Sequence, residues 1–267
     1  MIKLIASDMD GTLLNDSKQL PPDFFSVIDR LDRQGIYFTI SSGRTYSAID
    51  HLFPEEYRTK IDCICDNGAC VIHRGRAVHV DPLDRNTYTE LLRACDEIGG
   101  FKILVCAENG TYHLPDTGSF MDEVRKYYKK HIECDNLYDV SGTIYKIAVC
   151  DLRGTIAHGK PELDRIFADR LNVQVSGPIW MDVMAAGVSK GTALAALQRQ
   201  LGITPAQTMA FGDYFNDVEM LNAAEWSFCM ENGHEDIKKM CRFIAESNNN
   251  FGVTKAIRRY ALGEDIA

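Results

Sequence analysis

The sequence has no apolar stretch approaching the roughly 20 residues that span a bilayer, so it offers no transmembrane helix. It also lacks a signal-peptide pattern, because Met1 leads straight into a strand-like run over residues 2–6. Positive charge is scarce: 29 Lys and Arg stand against 38 Asp and Glu, a formal net charge of −9. That balance argues against broad nucleic-acid binding, which draws on clustered cations, but leaves room for a small anion bound by local charge. A paired disulfide framework is missing too. The nine cysteines are an odd number and lie largely in apolar runs, as reduced, buried thiols of a cytoplasmic protein do. Cys63, Cys65 and Cys70 cluster without a second pair of Cys or His ligands nearby, and the seven histidines show no HExxH spacing. Repeats and low-complexity tracts are absent, and Asn248-Asn249-Asn250 reads as a loop.

What is present is concentrated in short polar groups that follow apolar runs. Asp8-Met9-Asp10-Gly11-Thr12-Leu13 comes directly after residues 2–6. Side chains at i and i+2 share a direction on extended chain, so both carboxylates can face one reacting group, and Gly11 permits a sharp turn. Two close carboxylates disfavour each other's ionisation, and Mg²⁺ with oxygen ligands is their natural partner. A calcium loop does not fit. It would place Ala6 at its first ligand position and Ser17 at its twelfth, after a strand rather than a helix.

Three more groups follow the same rule. Ser41-Ser42-Gly43-Arg44 succeeds residues 36–40, Lys190 opens an Ala/Leu-rich helical segment, and Gly212-Asp213-Tyr214-Phe215-Asn216-Asp217 succeeds residues 208–211. In an open parallel sheet, ligands bind outside the carboxyl ends of the strands, so the four groups predict one site.

The 267 residues, 45% apolar, suffice for one large or two moderate domains. Strand and helix alternate at both ends, which predicts an α/β fold: a Rossmann-like, doubly wound parallel sheet over residues 1–82 and 187–267. A hairpin is expected over 71–82, turning at Arg74-Gly75. Residues 83–186 read as an inserted α+β module with helices at 85–98, 119–132 and 160–171. The Tyr127-Tyr128 pair is expected in the second of these helices, as core rather than as a substrate platform.

Taken in order, DMDGTL, SSGR, Asp66-Asn67-Gly68-Ala69, Gly187-Val188-Ser189-Lys190-Gly191 and GDYFND resemble the haloacid dehalogenase superfamily over nearly the whole chain, in its Cof-like branch (subclass IIB) of small-molecule phosphatases. The resemblance implies that Asp8 is a nucleophile forming an aspartyl-phosphate and Asp10 the acid and base. Lys190 would neutralise charge on Asp8 and the phosphoryl oxygens. Ser42, with Gly43 and Arg44, would bind phosphate and substrate, and Ser42 also reads as a helix cap. Mg²⁺ would be held by Asp8, the Asp10 backbone carbonyl and Asp213, with Asp217 supporting from just outside its ligands. Asn67, Gly68 and Asn216 match substrate-side positions, although Asn-Gly is also a common turn and Asn216 a helix cap. Tyr214 departs from the small or amide residue usual after Gly-Asp. Residues 83–186 would be a cap that sets specificity.

The expected activity is Mg²⁺-dependent hydrolysis of a small phosphorylated metabolite such as a sugar phosphate, without nucleic-acid or membrane partners, by a monomer or homodimer. Two alternatives stay open: a phosphomutase of the phosphomannomutase type and a non-enzymatic phospho-aspartate switch. Asp10 and the inserted module count against the switch.

Overall fold

The computed structural model of the protein describes residues 1–128 and 130–264. Along the chain come β1 (Leu4–Ser7), α1 (Phe24–Arg33), β2 (Tyr37–Ser41), α2 (Tyr46–Asp50), β3 (Ile61–Cys65), β4 (Cys70–His73) and β5 (Arg76–Val80). Then follow α3 (Arg85–Ile98), β6 (Lys102–Ala107), β7 (Gly110–His113), α4 (Ser119–Tyr127), β8 (His131–Glu133), β9 (Ile144–Cys150), α5 (Lys160–Phe167), β10 (Leu171–Val175) and β11 (Trp180–Ala185). The last part holds α6 (Lys190–Leu201), β12 (Thr208–Gly212), α7 (Val218–Asn222), β13 (Trp226–Met230), α8 (Glu235–Met240), β14 (Phe243–Ala245) and α9 (Gly252–Tyr260).

The chain divides into two units. The first takes residues 1–42, 53–79 and everything from Ser189 onward; the second takes residues 43–52 and 80–188. Residues 43–52, 80–82 and 187–188 therefore group with the inserted part, where the sequence-based division set them in the first.

In the first unit the strand order is β14-β13-β12-β1-β2-β3-β4-β5. The pairs from β14 to β3 are parallel and β3 meets β4 antiparallel. Every residue of β1, β3 and β12 is buried, as parallel strands covered on both faces must be, and this is why they read as mainly apolar runs, with Ser7, Asp62 and Thr208 the polar exceptions. The strand order turns back at β1, whose neighbours β12 and β2 lie on opposite sides. Ligands of such sheets bind at that switch point. Helix α1 buries Phe24, Val27, Ile28 and Leu31 at helical spacing.

The second unit is a six-stranded sheet ordered β10-β11-β9-β6-β7-β8, antiparallel except for the β7–β8 pair. Its side chains alternate between two apolar clusters, one containing residues of α3 and α5 and the other residues of α4. The helix expected over 119–132 stops at Tyr127, and residues 131–133 form a strand instead. Tyr128 leaves helical geometry with φ −116° and ψ 86° and buries its ring 6.2 Å from that of Trp180. Burial of that one aromatic ring outweighs the helical pattern on either side. Tyr127 is 47% exposed, so only its neighbour is core. Helix α5 likewise ends at Phe167, before the left-handed Ala168 at φ 43°. All nine cysteines are free thiols, and no helix among the described residues is long and apolar enough to cross a membrane.

Candidate active site

The site grows from the carboxyl ends of β1 and β12. Asp8 extends β1, its backbone N–H donating to the Phe211 carbonyl at 3.0 Å, and its side chain is buried. Gly11 then turns at φ 86°, and a Cβ there would stand 2.5 Å from Asp213 Oδ2. Only glycine admits both the turn and the close approach. Thr12 Oγ1 donates to Asp213 Oδ1 at 3.1 Å, fixing that carboxylate against the β1 loop.

Lys190, the first residue of α6, is 1% exposed. Its Nζ donates to Asp8 Oδ1 at 2.6 Å and to Asp217 Oδ1 at 2.7 Å. A lysine at the positive end of a helix dipole is locally unfavourable, and two buried carboxylates resolve the conflict. The helix start is set by Ser189, whose side chain accepts from the Thr192 N–H while the Thr192 hydroxyl accepts from the Ser189 N–H. Gly191 lets α6 approach α7 closely, since a Cβ there would lie 2.4 Å from the Glu219 backbone. Asp217 Oδ2 accepts from the backbone N–H groups of Asp213 and Tyr214 at 3.1 and 3.4 Å, which holds the loop after β12.

Carboxylate oxygens of Asp8, Asp213 and Asp217 lie within 4.8 Å of one another. Burial raises the Asp8 carboxyl well above its usual range; Lys190 pulls it down, and Asp217 and Asp213 push it up. Burial, then Asp217, pushes Asp213 up to about 6. Burial works against the Lys190 charge, but Asp217 and Asp8 outweigh it and hold the ammonium above its ordinary value. Three carboxylates facing one ammonium lack two positive charges, the charge of one divalent cation. Hard oxygen donors at this separation fit Mg²⁺.

Asp10 stands outside that group of three. Its Oδ1 pairs with Lys18 Nζ at 2.8 Å, and its backbone bridges to Leu14. The loop beyond is tied down from the far end of the chain. Asn248 Nδ2 donates to the Leu14 carbonyl and to Asp16 Oδ1, both at 3.0 Å, and Asn249 Nδ2 donates to Asp16 Oδ2 at 2.9 Å. The Asn run, expected as a loop, is a single 3-10 turn over Asn248–Asn250, with an anchoring role that composition did not disclose. Thr12 and Lys18 were also missed; their partners become neighbours only through the fold.

Ser42 is buried at the end of β2. Its N–H donates to the Ile64 carbonyl, and its own carbonyl accepts from the Asn67 N–H. Asn67 and Gly68 form one turn after β3, with Asn67 left-handed at φ 55°. Gly68 has φ 112°, and a Cβ there would sit 2.1 Å from the Ser189 carbonyl, so the pair shapes the backbone beside Lys190. Asn216 is half-buried in the turn Phe215–Asp217. Tyr214 is 49% exposed and its ring stacks edge-on with Phe215, so this departure from the usual residue leaves Asp213 and Asp217 in place. Gly43 and Arg44 belong to the second unit.

This fold and this site define an α/β enzyme built around a strand-end aspartate and an acidic, lysine-braced centre. A profile described as haloacid dehalogenase-like hydrolase matches residues 5–257, and the chain belongs to that family. It is 30% identical over 258 residues to 5-amino-6-(5-phospho-D-ribitylamino)uracil phosphatase YbjI of Escherichia coli (strain K12), covering 96% of this chain and 95% of that one. The fold is also that of SMU.1108c from Streptococcus mutans UA159, at a TM-score of 0.89 and 23% identity over 98% of this chain and 100% of that chain. The HAD subclass IIB sugar phosphatase BT4131 superposes with a TM-score of 0.82 at 20% identity, over 97% of this chain and 99% of that one. The chain is a hydrolase of the phosphatase type.

Proposed function

We propose that the protein is a Mg²⁺-dependent phosphatase that hydrolyses small phosphomonoesters with polyhydroxylated leaving groups, sugar or sugar-alcohol phosphates, through a phosphorylated Asp8. The observation that carries this reading is the buried Lys190 bridging Asp8 and Asp217 beside Asp213. Asp8, Asp213 and the Asp10 carbonyl would hold Mg²⁺, with Asp217 in support. The metal would supply charge neutralisation at the phosphoryl oxygens.

In the first displacement an Asp8 carboxylate oxygen attacks phosphorus, the ester P–O bond breaks, and Asp10 gives its proton to the departing alkoxide. In the second, water attacks phosphorus and gives a proton to Asp10, and the bond from phosphorus to Asp8 breaks to release phosphate. Lys190 holds positive charge against oxygens that gain negative charge along this path. Ser42 and the backbone around Asn67 and Gly68 bind the phosphoryl group, and Arg44 and Asn216 contact the substrate. Residues of the second unit set the leaving-group preference. The enzyme works in the cytoplasm, where its thiols stay reduced, as a monomer or homodimer.

The ribityl phosphate named in the Escherichia coli relative's activity and the sugar phosphatase among the similar structures support the leaving-group class. Phosphate release is measured from 5-amino-6-(5-phospho-D-ribitylamino)uracil, sugar phosphates, nucleotides and an aryl phosphate, each with Mg²⁺, with chelator, and with Asp8→Asn. Turnover that needs metal and Asp8 supports the reading. Isomerised sugar phosphate without free phosphate would replace it with a mutase.

A further inference from the structure

The second unit contains a buried ion pair that the packing of its sheet does not require. In β9, Ile147 and Val149 enter the apolar cluster shared with α3 and α5, while Ala148 and Cys150 enter the one shared with α4. Lys146 lies on the Ala148 face, and Asp182 of β11, two residues beyond Trp180, shares it. Asp182 is opposite Ala148 in register, hence diagonal to Lys146. Their side chains are 1% and 5% exposed and the Nζ–Oδ1 separation is 3.0 Å. Lys146 Nζ also donates to the Gly43 carbonyl at 2.5 Å.

Two apolar residues could fill this volume at no loss of stability, since desolvation of a buried pair commonly cancels its attraction. What apolar residues could not do is grip the carbonyl of Gly43. That carbonyl and the Arg44 N–H share one planar peptide, so fixing the oxygen fixes the plane from which Arg44 starts. Gly43, without a Cβ, has the widest backbone freedom to lose. Asp182, 3.0 Å from the same Nζ, orients it for this grip.

We propose that Lys146 and Asp182 form a positioning pair that fixes the Gly43–Arg44 peptide and thereby sets Arg44 for substrate binding. This rests on the phosphatase reading, in which Arg44 is a substrate contact. A guanidinium recognises oxyanions and hydroxyls through a planar fork, so a small error in its starting plane weakens recognition.

The test compares the full-length wild type with Lys146→Met/Asp182→Leu, Arg44→Ala and the combined triple variant, on the best ester of the panel. The apolar double replacement is chosen because it keeps the core filled, and its melting temperature reports whether it folds. The expected result is a folded double variant with KM raised roughly tenfold, the scale of one lost charge-assisted hydrogen bond, and kcat little changed. Adding Arg44→Ala to it should raise KM no further, because the two changes break one device. A folded double variant with wild-type KM overturns the proposal, as does a KM effect that multiplies fully with that of Arg44→Ala. The same assay with Asp8→Asn separates the two levels. Turnover surviving Asp8→Asn overturns the aspartyl-phosphate reading while KM still decides on the pair, and a wild type inactive on every ester overturns both.

Discussion

Replacing Lys190 with Met tests the centre most directly. The change keeps an unbranched apolar stem in a site only 1% exposed, and removes the one ammonium that sits 2.6 Å from Asp8 and 2.7 Å from Asp217. Both carboxylates are then left buried without their counter-ion. Breaking a buried pair from one side costs about 3–5 kcal/mol. At about 2–4 °C per kcal/mol for a chain of this size, that is a fall in Tm of roughly 6–20 °C in chelator. Asp8 already has a raised pKa from burial, so acid protonates it readily, and a neutral carboxyl needs no counter-ion. The deficit therefore shrinks as pH falls. Excess Mg²⁺ recovers part of it, because a cation that binds only the folded state stabilises by mass action. Loss of charge stabilisation at the phosphoryl group should cut kcat by about 10²–10³. Thermal unfolding of wild type and variant, at two pH values with chelator or Mg²⁺, supplies each number. A Tm loss under about 2 °C, or one equal at both pH values, would refute the assignment of Lys190 as the counter-ion of this acidic centre.

Metal removal should depend on pH through Asp213, whose carboxyl is pushed up to about 6 by burial and by Asp217. A raised acid binds its proton more tightly in the folded state, so this group costs the metal-free protein stability as pH rises from about 4 to 6. Mg²⁺ should then raise Tm more at pH 7.5 than at pH 5, and equal shifts would contradict the assignment. In Gly11→Ala the new Cβ meets Asp213 Oδ2 at 2.5 Å from a left-handed backbone, at a strain of about 1–3 kcal/mol. Its Tm should fall and its response to Mg²⁺ largely vanish; a wild-type Mg²⁺ titration would count against Asp213 as a ligand. Asn248→Ala strips two hydrogen bonds from the Leu14–Asp16 loop at a buried position. Urea unfolding should show a loss of about 1–3 kcal/mol, with kcat falling as the loop bearing Asp10 loosens, whereas an unchanged midpoint would show that the anchor is dispensable.

The central strands were legible because a parallel strand buried on both faces is mostly apolar, and β1, β2 and β12 are so apart from the small hydroxyl residues Ser7, Thr39, Ser41 and Thr208. Helix α1 was legible through its stripe of Phe24, Val27, Ile28 and Leu31. The end of α4 was not. Tyr128 fits a helix by its neighbours and leaves it because Trp180 lies within reach of its ring. Asp8, Asp213 and Asp217 were legible as acids following strands, yet their spacing in sequence says nothing of a 4.8 Å cluster. Lys190 without its partners would pass for a solvated helix start, and only the fold shows it buried.

For the first unit the sequence by itself determined where the central strands run and which chemical groups stand at their ends, because periodicity and turn chemistry act over a few residues. Tertiary structure decided which of those groups meet. Lys190 and Asp8 are 182 residues apart and Asn248 and Leu14 are 234 apart, and they become neighbours because β1 pairs with β12 and the last loops fold back onto the first. It also decided that residues 43–52 join the second unit, where Lys146 holds the Gly43 carbonyl. Charges and hydrogen-bond donors find partners through space, and no local pattern in the chain records that distance.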